Sequence, residues 1–200
     1  MNVSSLEMSY RAYEYAFDEF CSAYQLPPQW FRVPDHFAIK CASSAEYEAT
    51  LTTIRTEFSP HGMYEAEIQQ RRLGSAKLAG RVGMGQVSFG WVEIMEPKPD
   101  AIIAESFVEH SEFYMPDLFE LQRVLDMRGV EGGRFQDNGA HGYVSFPIDD
   151  QGREIKFNDK PLADVIEQEK LENKVRLLIP EIEENVPSAR VYQFPKRDQL

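Results

Sequence analysis

Asp35-His36-Phe37-Ala38-Ile39-Lys40-Cys41 is the stretch on which the fold turns. Phe37, Ile39 and Cys41 alternate with His36, Ala38 and Lys40, the period-two pattern of a strand with one apolar face. The first set belongs in a core, where Cys41 is a small buried residue rather than a reactive thiol. The second set faces the other way. A histidine there is either a hydrogen-bonded structural residue or a ligand, and residue type alone leaves both open.

Working outward, Ser43-Ser44-Ala45-Glu46 reads as a capping box that opens a helix. Tyr47, Leu51, Ile54 and Phe58 form its apolar stripe, and Ser59-Pro60-His61-Gly62 ends it. Three strand-like segments follow, 63–72, 76–82 and 86–95, with glycines between them. Pro97 and Pro99 bound a short connector, and the order then repeats. Residues 107–114 alternate as a strand. Residues 116–128 are helical, with Leu118, Leu121 and Leu125 inward and Gly129 at the C-terminus. Strands are expected at 133–136, 141–148 and 153–158. The chain therefore predicts an α+β fold: two βαβββ modules, 31–96 and 105–160, forming a cupped mixed sheet in a single domain.

Ahead of the modules, Leu6, Tyr10, Tyr13, Phe17, Phe20 and Tyr24 share one helical face, and Pro27-Pro28 stops the helix. Core packing explains this aromatic stripe more simply than a partner docking on it. Behind the modules, Pro161 opens a last helix to about Lys170, and an irregular acidic tail is expected after it.

Composition narrows the function. The 200 residues are 42% hydrophobic and 27% charged, with a formal net charge of -12. Such acidity argues against a phosphate-backbone partner, since the close basic clusters are only Arg71-Arg72 and Lys196-Arg197. Cys21 and Cys41 make neither a disulfide framework nor a thiolate metal site. No apolar run approaches the ~18 residues of a membrane span, and no signal segment is recognised, which makes a cytoplasmic location the expectation.

His36 and His110 lie 74 positions apart, each on the opening strand of its module and each preceded by an acid. Equivalent placement in two repeats points to joint metal ligation. Strand alternation sets Asp35 and Glu109 on the opposite side, so neither is an automatic co-ligand. A divalent ion also needs an anionic ligand. Glu93, in Phe89-Gly90-Trp91-Val92-Glu93-Ile94-Met95, shares a face with Phe89, Trp91 and Met95, where a carboxylate is costly to bury unless it is paired or ligated. Two imidazoles and one carboxylate with open positions suit one divalent transition metal: zinc, iron, manganese or nickel. The matching place on the last strand of the second module holds Lys156, with Glu154 and Asn158 on the same face. Glu112, two residues after His110, is a candidate general base or alternative ligand, or else a solvated strand residue. Lys156 either meets a substrate anion or snorkels to solvent. His141 starts a strand after a turn and could line the pocket, while Trp91 and Tyr143 could wall it.

Residues 35–41, Val108-Glu109-His110-Ser111-Glu112, Ile155-Lys156-Phe157 and residues 161–169 together resemble the YecM-like family of bacterial proteins. That family is similar in fold to the vicinal oxygen chelate superfamily of glyoxalase I, methylmalonyl-CoA epimerase, extradiol dioxygenases and fosfomycin- and bleomycin-resistance proteins. The resemblance implies paired βαβββ modules with metal ligands on their first and last strands. On that pattern His36, Glu93 and His110 fall on three ligand positions. Lys156 stands where a carboxylate is usual, and Asn158 where some relatives carry histidine. It further implies a small-molecule partner whose adjacent oxygens chelate the metal, and either an isomerase, lyase or oxygenase reaction or a sequestering, resistance-like role.

Overall fold

Each helix starts where a side chain can take up a free backbone N–H. In a computed structural model, which describes residues 1–84, 87–130, 133–137, 142–180 and 191–192, α1 (Val3–Ala23) is capped by Asn2, whose Oδ1 accepts from Ser5 N at 2.9 Å. The strand β1 (Pro34–Lys40) follows, then α2 (Ser44–Glu57), capped by Ser43 as its sequence requires. Three strands complete the first module: β2 (Gly62–Ile68), β3 (Arg71–Met84) and β4 (Val87–Met95). The second module repeats the order with β5 (Phe107–Tyr114), α3 (Leu118–Met127), β6 (Arg134–Asp137), β7 (Gly142–Pro147) and β8 (Glu154–Asn158). After it come α4 (Leu162–Leu171), β9 (Val175–Ile179) and β10 (Val191–Tyr192).

The strands form one mixed sheet in the order β6-β7-β8-β5-β1-β4-β3-β2-β9, with β10 beside β3. Within each module the first strand runs parallel to the last: β1 with β4, and β5 with β8. The two modules join where β1 and β5 pair antiparallel. One face of the sheet carries the main core. There Tyr10, Tyr13 and Phe17 of α1, Tyr47 and Ile54 of α2, and Leu121 and Leu125 of α3 pack over Phe37, Ile39, Val92, Phe113, Val144 and Phe157. All are buried, and so is Cys41. The stripe on α1 is core, as its spacing implied.

The strand break in the first module and the tail differ most from expectation. The break in the first module falls at Gln69-Gln70, both in the left-handed region (φ 53° and 63°), rather than at Gly74. A two-residue turn with two positive φ values matches the twist of the flanking strands. Gly74 instead lies within β3, because α2 presses on it: an added Cβ would stand 2.8 Å from Leu51 Cδ2. The tail expected to be irregular also forms β9, which pairs antiparallel with β2. No helix among the described residues is long and apolar enough to cross a membrane.

Candidate metal centre

The face of the sheet opposite the three packed helices gathers both histidines. Across the β1/β5 seam His36 stands opposite Glu112 and Ala38 opposite His110, about a local two-fold near Phe37 and Ser111. Both imidazoles are buried, with ring centroids 5.7 Å apart.

The acids before them behave differently from strand alternation. The register slips between Pro34 and His36 on one strand and opposite Glu109 on the other, so Asp35 and Glu109 are each the extra residue of a bulge. A bulge re-aims the side chain it carries. Asp35 Oδ2 thereby lies 3.2 Å from His36 Nδ1, and Glu109 Oε2 lies 3.1 Å from His110 Nδ1. The expectation that both acids face away is corrected by this pair of bulges. Each carboxylate takes up Nδ1 and leaves Nε2 to face Glu112, the arrangement that fixes ring orientation in histidine–metal sites.

The two Nε2 atoms converge on Glu112. Its Oε2 is 3.1 Å from His36 Nε2 and 3.6 Å from His110 Nε2. Neither Nε2 makes a directed hydrogen bond, although both are buried. Both stand instead in ion-pair contact with the same carboxylate, and buried polar atoms without a well-directed hydrogen bond are uncommon. His36, His110 and Glu112 each offer an atom within 4.8 Å of the others. Glu93 stands beside this group, with Oε2 3.4 Å from His36 Nε2. Glu112 is thus a buried member of the cluster, not a solvated strand residue. Two imidazoles and two carboxylates are donor types that suit a divalent transition metal.

Register explains why Glu112 occupies this space. In the first module Ala38 pairs with Glu93, and in the second Glu112 pairs with Lys156. The second module thus carries its carboxylate on the first strand and a cation on the last, the reverse of the first module's alanine and glutamate. Asn158 holds Glu112: its Nδ2 donates to Glu112 Oε1 at 2.8 Å and to Asp35 Oδ2 at 3.0 Å. Asn158 therefore positions a carboxylate instead of facing the cavity as a ligand.

Charge coupling follows from this crowding. Burial alone would depress His36, but Glu93 and Glu112 outweigh it and hold the imidazole well above its usual value. Burial would raise Glu112 and Glu93, and the facing His36 turns both shifts downward. For Glu109, burial is outweighed by His110, Lys156 and Lys40, the last in direct contact with it. Burial would likewise lower Lys156, yet Glu109, Glu112, Glu154 and Glu93 raise it, so it stays a cation. Its side chain does not snorkel free. The ammonium sits 3.7 Å from Glu154 Oε2 and 5.9 Å from the centre of the Tyr143 ring.

Trp91 stacks on Tyr64, and both pack with Leu162 and Ile166 of α4. This helix covers the first module's half of the cup. His141 lies outside the described residues.

No family model matches the chain, and no curated protein does. Among solved structures it is similar to a structural-genomics protein designated EC4020. That match has 19% identity and a TM-score of 0.68 over 84% of this chain and 92% of that one. A methylmalonyl-CoA epimerase from Mycobacterium tuberculosis matches with 16% identity and a TM-score of 0.48 over 72% and 99%. The likeness to the first is one of fold.

Proposed function

We propose that the chain is a divalent-metal protein of the vicinal oxygen chelate type, acting on a small molecule that presents adjacent oxygens to the metal. The observation that carries this reading is the convergence of two buried Nε2 atoms, neither in a directed hydrogen bond, on one carboxylate. His36, Glu93 and His110 would hold the ion, with Glu112 as the added donor. Two neutral imidazoles and two carboxylates would balance its double charge. The paired topology, βαβββ twice with the seam at β1/β5, supports the same assignment, as does the YecM-like resemblance of residues 35–41 and 108–112.

When bound, a metal of this kind supplies Lewis-acid polarisation of the coordinated oxygens. The protein's own groups do the rest. Asp35 and Glu109 lock the imidazoles in place. Lys156, kept protonated, holds negative charge on the ligand at the rim. Glu112, when not coordinated to the ion, would accept a proton from that ligand, with Asn158 steadying the carboxylate. An isomerase, lyase or oxygenase would use all of these. A sequestering protein would need the metal and the rim without the base.

Elemental analysis of protein purified without added metal tests the reading. Near one equivalent of zinc, iron, manganese or nickel is expected in the wild type. His110→Ala should lose the metal while keeping its far-ultraviolet circular dichroism. Equal metal content in both proteins would end the ligand assignment. Metal without turnover on α-hydroxy ketones, thioesters and catechols would leave the sequestering role.

A further inference from the structure

The start of α4 has no cap of its own. Pro161 precedes it and offers no side-chain hydrogen bond to the helix, unlike Asn2, Ser43 and Asp117 at the other three helices. The free Leu162 N–H is taken instead by Asp35, with 2.9 Å to Oδ2 and 3.2 Å to Oδ1. Asp35 lies 127 positions earlier, in the bulge of β1, and its Oδ2 also faces His36 Nδ1 at 3.2 Å. One buried carboxylate thus serves the first turn of a helix and the orientation of an imidazole together.

From this shared carboxylate we infer that Asp35 is a positioning residue that couples metal loading to the docking of α4 over the cup. The inference rests on the metal reading above. Its physics is direct. With α4 docked, Leu162 N and Asn158 Nδ2 pin the Asp35 carboxylate, and the pinned carboxylate fixes His36 with Nε2 toward the cavity. With α4 undocked, Asp35 loses a backbone donor and the wall formed by Leu162 and Ile166 on Tyr64 and Trp91 opens. Water then reaches the imidazole, and the ring gains freedom that the ion must remove on binding. By linkage, the factor by which docking strengthens metal binding equals the factor by which metal strengthens docking.

The test uses the full-length chain and zinc alone. A double truncation, Leu162→Ala with Ile166→Ala, loosens α4 and touches no donor atom; Asp35→Ala removes the shared carboxylate. Each should weaken zinc binding, read by calorimetry, about 10–100-fold, the usual cost of losing an outer partner of a metal-bound histidine. Zinc should also slow amide hydrogen exchange across 162–171 in the wild type by a similar factor, and leave it unchanged in Asp35→Ala. A residue that merely supported the fold would alter exchange without altering zinc affinity. Wild-type affinity in the folded double variant, or exchange in α4 that ignores zinc, overturns the coupling and leaves the metal centre standing. Failure of the wild type to bind zinc overturns the coupling, and absence of zinc, iron, manganese and nickel from the purified protein overturns the metal reading as well.

Discussion

At the scale of single residues, the candidate centre depends on acids that bend toward their own neighbours. Glu109 binds His110 Nδ1 and contacts Lys40. Replacing it with glutamine keeps the shape and removes the charge that favours a correctly oriented imidazole. Glu109→Gln should therefore weaken metal binding by about tenfold or more while leaving thermal stability within a few degrees, measured by calorimetric titration and melting. His36 and His110 were legible as a pair because two repeats place like residues at like positions, and Glu93 as a carboxylate among apolar neighbours that is costly to bury alone. Asp35 and Glu109 were visible only as neighbours. A bulge depends on how two strands pair, and strand periodicity within one segment carries no sign of it. Glu112 was legible as a candidate, but its burial comes from cross-strand pairing with Lys156, a contact between distant segments.

At the scale of elements, most of the order was legible: four helices and the strands of both modules match their hydrophobic periods. The exceptions have causes outside their own segments. Gly74 resembles a strand break, yet a glycine also admits a closely packed helix, and only the position of α2 tells the two apart. Gly74→Ala brings a methyl to 2.8 Å from Leu51 Cδ2 and 3.2 Å from Tyr47 Oη. Overpacking there should cost about 1–3 kcal/mol in denaturant unfolding, with the midpoint lowered and the slope unchanged. The strand β9 escaped notice because Val175-Arg176-Leu177-Leu178-Ile179 is short and its partner edge is more than a hundred residues earlier. The cover that α4 lays over the first module was equally hidden, since Leu162 and Ile166 look like any amphipathic pair.

At the scale of the whole molecule, a bound ion would act as a ligand of the folded state alone, because the two imidazoles belong to strands separated by 74 positions. Metal at 100 times its dissociation constant should stabilise the protein by about 2.7 kcal/mol. For a chain of this size that corresponds to a rise in melting temperature of about 5–11 °C. Adding a chelator should reverse the rise, and His110→Ala should show none. Scanning calorimetry with and without metal reads both.

Pairing of strands between the two modules, among the described residues, runs through β1 and β5 alone. A lone module would own one of the two converging imidazoles and could complete the pair only by meeting a second copy edge to edge, at a frequency set by dilution. Tethering the halves through residues 97–105 makes that encounter intramolecular, so its strength no longer depends on how much protein the solution contains.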